Sequence, residues 1–141
     1  GPVLMGWGAG GELDGPEDTT RGLEIRAGGR SFHDLPGGAA MTDALRARLK
    51  GACLVFFDGT LWRDDELIAV GVSPRSGQRM GHMSIDGEAG SMAAFADLDV
   101  ARKVFIHINT TNPVLNALSP EHAVAAARGW EVAYDGMEIS L

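Results

Sequence analysis

The chain has 141 residues, 45% of them hydrophobic, which is enough for one domain with an apolar core and too few for two. Its formal net charge of −7 argues against a nucleic-acid partner, because phosphate binding requires a basic face. No apolar run approaches the roughly 20 residues that span a bilayer, and no signal peptide is recognised, so we expect no membrane partner. The single cysteine, Cys53, favours a reducing compartment, and the expected location is the cytoplasm.

The beginning of the chain is predicted to be a loop followed by a hairpin. Glycines and acidic residues dominate residues 1–17, which we interpret as a glycine-rich or disordered lead-in after a short apolar opening. The extended segments Leu23–Ile25 and Ser31–His33 flank the glycine pair Gly28-Gly29. This pattern predicts a β-hairpin.

Helices and buried strands alternate through the rest of the chain. Thr42 begins a predicted helix that Gly51 ends, and the apolar run Cys53–Phe57 is typical of a strand buried on both faces. The further predicted elements are a helical turn at Asp64–Ile68, a helix at Ser91–Asp97, a strand at Lys103–Ile108, a helix at Ser119–Ala127 and a closing hairpin of Trp130–Tyr134 with Met137–Leu141. Such an order requires a sheet covered on at least one face, so the predicted class is α/β or layered α+β.

Polar residues follow both buried strands, and function in such sheets is concentrated in the loops that leave the strand ends. His107 lies at the end of the second strand, where a neutral imidazole can bind a metal ion or, equally, pack in the core with a backbone hydrogen bond. Asp58 directly follows the first strand and needs a partner there, which a metal, a histidine or its own turn could provide. His82 lies between Gly81 and Met83, so a ligand could approach its ring, although exposed loop histidines are common.

Three long segments containing these residues resemble the coenzyme PQQ synthesis protein B family. They are Phe56–Glu66, Arg79–Ser84 and Phe105–Leu115, and the ending Gly129–Met137 is similar as well. The resemblance runs from about Asp18 to Leu141 and covers only the C-terminal half of that protein. It therefore assigns residues 18–141 to the C-terminal half of a metallo-β-lactamase-like domain.

The resemblance implies the αββα sandwich of the metallo-β-lactamase superfamily, of which this chain would be about one half. In the phosphodiesterase relatives a strand-end carboxylate, a Gly-His-Ser loop and a late strand-end histidine face the active site. Asp58, His82 and His107 match those positions. The superfamily's cluster of histidines and aspartates belongs to the N-terminal half, and Gly38 stands where many relatives carry a metal-bridging aspartate. A two-metal site is therefore not expected.

The implied function is synthesis of pyrroloquinoline quinone (PQQ), a cofactor built from the glutamate and tyrosine of a precursor peptide. In the enzyme hypothesis the complete protein is a non-haem iron oxygenase that hydroxylates the tyrosine ring, with His107 as a ligand to Fe²⁺ or another divalent metal. The catalytic candidates are His82, to orient substrate or transfer protons, and Asp58, to hydrogen-bond a ligand. Because one histidine cannot hold iron tightly, we expect the isolated chain to be inactive, with little or no bound metal.

Residues that could bind the cofactor are Asn109, Asn112 and Arg79, which lie near the predicted metal ligand or in the histidine loop. The rival hypothesis is a non-catalytic carrier of PQQ or its precursor, involved in transport to the periplasm. PQQ has three carboxylates, so a carrier needs a cationic pocket, for which Arg63, Arg75 and Arg79 are candidates. Half of a sandwich also exposes an apolar face, so we expect a homodimer or association with a missing N-terminal half.

Overall fold

The computed structural model describes residues 3–8, 21–38 and 40–140. Its strands form one six-stranded sheet, in which the spatial order of the strands is their order along the chain. They are β1 (Val3–Gly8), β2 (Arg21–Ala27), β3 (Arg30–Leu35), β4 (Leu54–Asp58), β5 (Lys103–Ile106) and β6 (Trp130–Val132). The first three strands pair antiparallel, and β3 to β6 pair parallel, so the sheet is mixed.

The described residues contain four short α-helices between the strands: α1 (Asp43–Leu49), α2 (Glu66–Ala69), α3 (Ser91–Phe95) and α4 (Pro120–Ala127). Single 3-10 turns occur at Gln78–Met80 and Pro113–Leu115. The hydroxyls of Thr42 and Ser119 accept hydrogen bonds from the first-turn amides of Leu45 and His122, at 3.2 and 3.0 Å. These N-caps confirm both helix starts predicted from the sequence. None of the helices in the described ranges has the length and apolar character needed to cross a bilayer.

The main core lies between one face of the sheet and the helices. Alternate residues of β4, Val55 and Phe57, point into it and are fully buried. Phe105 stacks on Trp130 with ring centroids 3.9 Å apart, and Phe95 of α3 meets the same tryptophan edge to face. Aromatic packing of this kind fixes the parallel strands and hence the positions of the loops at their carboxyl ends.

The opposite face of the sheet carries the other alternate residues of β3, β4 and β5. Phe32 and Phe56 meet edge to face with centroids 5.1 Å apart and are only half-buried, as is Ile106. Asp34 and Asp58 lie in the same alternating rows. The sheet therefore has one face covered by helices and one with partly exposed apolar side chains, as expected for half of a sandwich.

The structure differs from the sequence predictions at both ends of the chain. Val3–Gly8, within the predicted loop 1–17, forms β1 because its backbone pairs with β2 from Val3↔Arg26 to Gly8↔Arg21. The rest of that predicted loop lies outside the described residues. The closing hairpin is wrong: Trp130–Val132 joins the sheet beside β5, but the chain after a turn at Asp135-Gly136 continues to residue 140 without a second strand.

Candidate active site at the carboxyl ends of the strands

Asp58 ends β4 and is completely buried. Its Oδ1 accepts hydrogen bonds from the Thr60 amide at 3.0 Å and the Thr60 hydroxyl at 2.5 Å, while Oδ2 lies 2.6 Å from Nδ1 of His82. The sequence left open whether the partner of this carboxylate is a metal, a histidine or its own turn. Among the described residues it contacts the turn with one oxygen and the histidine with the other.

Backbone contacts of the loop that carries His82 hold its ring beside Asp58. Its backbone forms an isolated parallel bridge with Gly38, and the Met83 amide donates to the Gly38 carbonyl at 2.7 Å. Two residues later, Ser84 forms a second bridge with Leu61. The loop that looked open in sequence is therefore attached to two neighbouring segments, and this attachment fixes the ring.

The hydrogen bond to Asp58 raises the pKa of His82 above its ordinary value of 6.5, although partial burial of the ring opposes the shift. The negative charge of Asp58 acts in the same direction as the hydrogen bond. With Nδ1 given to Asp58, Nε2 makes no hydrogen bond to any residue that the structure describes, and the side chain is 29% exposed. The pair therefore presents one imidazole nitrogen that can donate or accept a proton.

His107 follows β5 and has a left-handed backbone with φ of +53°, which is uncommon for a residue with a side chain. The Thr60 hydroxyl lies 3.0 Å from its carbonyl oxygen, and the Asn109 amide donates to the Thr60 carbonyl at 3.1 Å. These contacts continue the pairing of β4 with β5 beyond the strand ends. The backbone of His107 thus lies beside the Asp58 turn, while its ring is exposed. It is not the buried core histidine that the sequence also allowed.

Glu66 is a further residue of this region that sequence reasoning missed. Its carboxylate is 9% exposed, accepts the Trp62 amide at 2.7 Å with one oxygen, and accepts the Thr111 hydroxyl at 2.7 Å with the other. The Asn109 side-chain amide donates to the same Thr111 oxygen at 3.0 Å. Glu66 therefore ties the loop after β4 to the loop after β5. No local signal indicated this, because Asp64-Asp65-Glu66 looks like a solvated acidic run.

The three residues predicted to bind a cofactor have different environments. Asn112 is buried, donates to the Gly59 carbonyl at 2.9 Å and accepts the Val114 amide at 2.9 Å, so both ends of its side chain are occupied by backbone. Asn109 uses its amide nitrogen on Thr111. Arg79 is exposed and its side chain forms no ion pair within the described residues. The structure brings Asp58, His82 and the His107 backbone together. The side chain of Asn112 is instead used to hold the backbone of Gly59 and Val114.

Asp34 is the second residue that the sequence did not single out. It lies on the partly exposed face of the sheet, and its Oδ1 is inaccessible to solvent without a hydrogen-bond partner among the described residues. Burial raises the pKa of Asp34, and the nearby His107 opposes that shift. Asp34 is therefore a partly buried carboxylate whose pKa responds to the charge of His107.

The side chains of this region do not form a complete metal site. Within the described part of the chain, no three His, Cys, Asp or Glu side chains are close enough together to hold a metal ion. Gly38, beside His82, offers no ligand, and a Cβ placed there would meet no described atom within 4 Å. The space that a carboxylate would fill is therefore open, and the residues present do not fit a closed coordination shell.

Comparison with known proteins decides the family. A model of the β-lactamase superfamily domain matches residues 2–108, which is most of the chain. The chain belongs to the β-lactamase superfamily. Zn²⁺-bound PqqB from Methylobacterium extorquens superposes with a TM-score of 0.84 at 48% sequence identity, covering 86% of this chain and 44% of that one. The metallo-β-lactamase fold protein YhfI from Bacillus subtilis gives a TM-score of 0.65 at 11% identity, which supports the fold alone.

Among relatives, the coenzyme PQQ synthesis protein B of Xanthomonas axonopodis pv. citri is 65% identical over 140 residues. The match covers 99% of this chain and 47% of that protein, so the chain spans about half the length of the relatives it matches. The family resemblance and the metallo-β-lactamase fold predicted from the sequence are thereby confirmed. The roles of the individual site residues remain predictions.

Proposed function

We propose that this chain is the C-terminal half of a protein of PQQ synthesis and supplies the proton-transferring side of an active site completed by an N-terminal half. Support comes from the PQQ synthesis protein B of Xanthomonas, with 65% identity over 99% of the chain. The chain covers only 47% of that relative, so the activity belongs to the combined halves.

One observation carries the proposal: the 2.6 Å contact between a fully buried aspartate, Asp58, and the partly exposed ring of His82. The carboxylate fixes the ring orientation and favours a proton on Nδ1, so Nε2 is the nitrogen that meets substrate. Because the pKa of His82 is raised, its cationic form persists to higher pH than that of an ordinary histidine and can act as a general acid or hydrogen-bond donor. Hydroxylation of a tyrosine ring requires removal of a ring proton and control of the phenol proton. His82 is placed to accept or return such a proton.

The metal part of the reaction needs ligands beyond those found together here. We propose that His107 supplies one ligand, since its ring is exposed and its backbone lies beside Thr60 of the Asp58 turn. A divalent metal is favoured by the Zn²⁺-bound PqqB structure, and iron is our proposal for the oxygenase reaction. That ion would provide the redox chemistry that these side chains lack.

The first experiment measures metal content and solution mass of the chain alone and of the chain fused behind the N-terminal half of the Xanthomonas relative. We expect metal well below one equivalent in the isolated chain, because the described residues hold no three-ligand cluster. The fusion should bind one equivalent of iron or zinc, and its iron-loaded form should consume oxygen with a Glu-Tyr precursor peptide and an added two-electron reductant such as ascorbate. Tight stoichiometric metal on the monomeric isolated chain would contradict the proposal.

Two histidine variants of the fusion separate metal binding from proton transfer. His107→Ala should reduce metal affinity by more than the about 10- to 100-fold that is typical when a partner outside the coordination shell is lost. His82→Gln should leave metal content unchanged and reduce turnover, by about 100-fold for loss of a general acid or base. His122→Ala is the matched control, because His122 lies in α4 and hydrogen-bonds the Val114 carbonyl, not a residue of the Asp58 turn. Retained metal in His107→Ala would refute its assignment as a ligand.

The carrier alternative has less support at this end of the sheet. Arg63, one of the proposed cationic residues, borders a cavity of about 490 Å³ whose other charged lining residues are all acidic: Asp64, Asp65, Asp86 and Glu88. Such a cavity repels a tricarboxylate. Stoichiometric PQQ binding by the fusion, without peptide-dependent oxygen consumption, would nevertheless favour a carrier over an oxygenase.

We also propose that the partly exposed sheet face is where the two halves meet. Phe32, Phe56 and Ile106 supply apolar surface there, and Asp34 carries a buried oxygen that lacks a described partner. In the isolated chain this surface should cause self-association, giving a homodimer or larger species. A monomeric isolated chain that binds no added N-terminal half would contradict this placement.

A further inference from the structure

A cavity of about 860 Å³ lies at the opposite end of the molecule from the candidate active site. The β2–β3 turn and the end of α1 border this open cavity. Its charged lining consists of four cations and one carboxylate, which leaves a net charge of +3: Arg26, Arg30, Arg48, Lys50 and Glu24. The whole chain has 12 lysines and arginines and a net charge of −7, so a third of its cations surround this single cavity. Their local charge is opposite in sign to that of the protein.

Glu24 explains how the arginines are held. It is fully buried in β2, and each of its oxygens binds one guanidinium: Oε1 pairs with Nε of Arg26, and Oε2 lies 3.2 Å from Nη1 of Arg48. The arginine side chains nevertheless remain 61% and 42% exposed. A buried carboxylate therefore orients two solvent-facing guanidinium groups, which reduces the entropy lost when an anion binds them.

Helix electrostatics alone do not explain this concentration of charge. Cations at the end of a helix interact favourably with its carbonyl groups, which accounts for Arg48 and Lys50. Arg26 and Arg30 belong to the hairpin instead, and their positions are unrelated to the helix end. Two separate elements thus contribute cations to one concave surface.

We propose that this cavity binds a small multivalent anion that carries several carboxylate or phosphate groups. Guanidinium groups bind both kinds of oxyanion through paired N–H donors, and a charge of +3 matches a ligand with two or three negative groups. The volume lies within the usual range for small-molecule sites. The cavity lies on the same face of the sheet as the helices, which is the face of Glu24 and His33. The anion site therefore does not depend on the partly exposed opposite face or on the function proposed above.

The test is calorimetric titration of the chain with citrate and with inorganic pyrophosphate at fixed ionic strength, with acetate as a monovalent comparison. We expect the multivalent anions to bind, and amide NMR shifts to concentrate at Gly28, Gly29 and Lys50, which border the cavity. Tighter binding of citrate would indicate a polycarboxylate ligand, and tighter binding of pyrophosphate a phosphate ligand. Either result supports the site. Acetate shifts as large as those of citrate, or shifts elsewhere, would overturn it.

Two charge-removing variants locate the site without disturbing Glu24. Arg30→Gln and Lys50→Gln should each weaken citrate or pyrophosphate binding by about two- to fivefold, as expected for solvated charge contacts. Arg128→Gln makes the same change in net charge at the exposed end of α4 and should leave affinity unaltered. Equal weakening by all three variants would mean that the anions respond only to overall charge, and the proposal would fail.

Discussion

Two histidine–carboxylate pairs lie in different parts of the sheet and behave differently. At the carboxyl end, Asp58 lies 2.6 Å from Nδ1 of His82, and the pKa of His82 is raised. Near the hairpin, Glu24 lies 4.0 Å from Nε2 of His33, whose pKa is lowered mainly by burial despite the attraction of that carboxylate. His33 is 1% exposed, against 29% for His82.

The difference shows that distance and neighbouring charge, rather than residue type, decide what such a pair can do. Glu24 is already paired with two arginines, and both arginines also lower the pKa of His33. Asp58 has no cation other than His82 among the ion pairs of the described residues. The first carboxylate therefore orients guanidinium groups, whereas the second holds an imidazole that can exchange protons with solvent or substrate.

The largest expected difference in stability is between alanine substitutions of a glycine after β4 and a glycine in the β2–β3 turn. A Cβ at Gly59 would lie 2.8 Å from Cβ of Phe105 and 3.1 Å from the Ile106 carbonyl, so Gly59→Ala should lower the free energy of unfolding by about 2–3 kcal/mol. Gly29 in the hairpin turn has open space but a φ of +77°, so Gly29→Ala should cost about 1–2 kcal/mol from backbone strain alone. Urea denaturation measures both. A larger loss of unfolding free energy in Gly29→Ala than in Gly59→Ala would show that close packing around Gly59 is not the dominant constraint.

Removing the charge of each carboxylate is the next comparison. Asp58→Asn replaces an oxygen that accepts from Thr60 or His82 with an N–H₂ donor, so we expect a loss of about 1–3 kcal/mol in unfolding free energy. Glu24→Gln should cost about 1 kcal/mol or less, because its exposed arginine partners can be solvated instead. Thermal denaturation of the two variants gives the order. The reverse order would place the structurally more important carboxylate near the hairpin.

A smaller loss of stability is expected when the hydrogen bonds that join Glu66, Thr111 and Asn109 are removed. Thr111→Val removes the hydroxyl that donates to Glu66 and accepts from Asn109, and should lower the unfolding free energy by about 1 kcal/mol. Thr111→Ser keeps the hydroxyl and serves as the control. Hydrogen exchange at Trp62 and Asn109 should increase in the valine variant only. Equal exchange in both variants would show that Glu66 does not join the two loops.

The smallest effect is in the pH dependence, where the two histidines should act with opposite sign. Protonated His82 stabilises the fold, so its contribution is complete below the ordinary pKa of 6.5 and is lost as pH rises through the higher folded pKa. The folded state disfavours protonated His33, so stability is lost as pH falls below 6.5 towards the lower folded pKa. Histidine NMR titration, with His82→Gln and His33→Gln to assign the signals, should give one pKa on each side of 6.5. Two values on the same side would remove the proposed distinction.

The elements predicted correctly had strong local signals. The glycine pair of the hairpin, the caps Thr42 and Ser119, and the apolar run before Asp58 each act over a few residues and do not depend on distant partners. The glycine-containing β1 was missed because its pairing with β2 is provided by the backbone, not by an apolar pattern. The second strand of the closing hairpin was wrong because a turn sequence does not guarantee that the returning segment finds a partner.

The site was predicted only in part for the same reason. Position at a strand end indicated Asp58 and His107, the small neighbouring residue indicated His82, and family resemblance agreed with all three. None of these signals showed that Asp58 and His82 are hydrogen-bonded. Glu66 and Asp34 could not be selected, because their burial depends on segments distant in sequence. A buried acid in an acidic run looks in sequence like its solvated neighbours.

The order of strands in the sheet also has a consequence for how the chain folds. Since every strand lies beside the strand that precedes it in the chain, each newly synthesised strand can join the edge of a sheet already formed. No later strand must be inserted between two strands that have already paired. This topology permits folding to proceed during translation, starting from the β2–β3 hairpin and ending with β6.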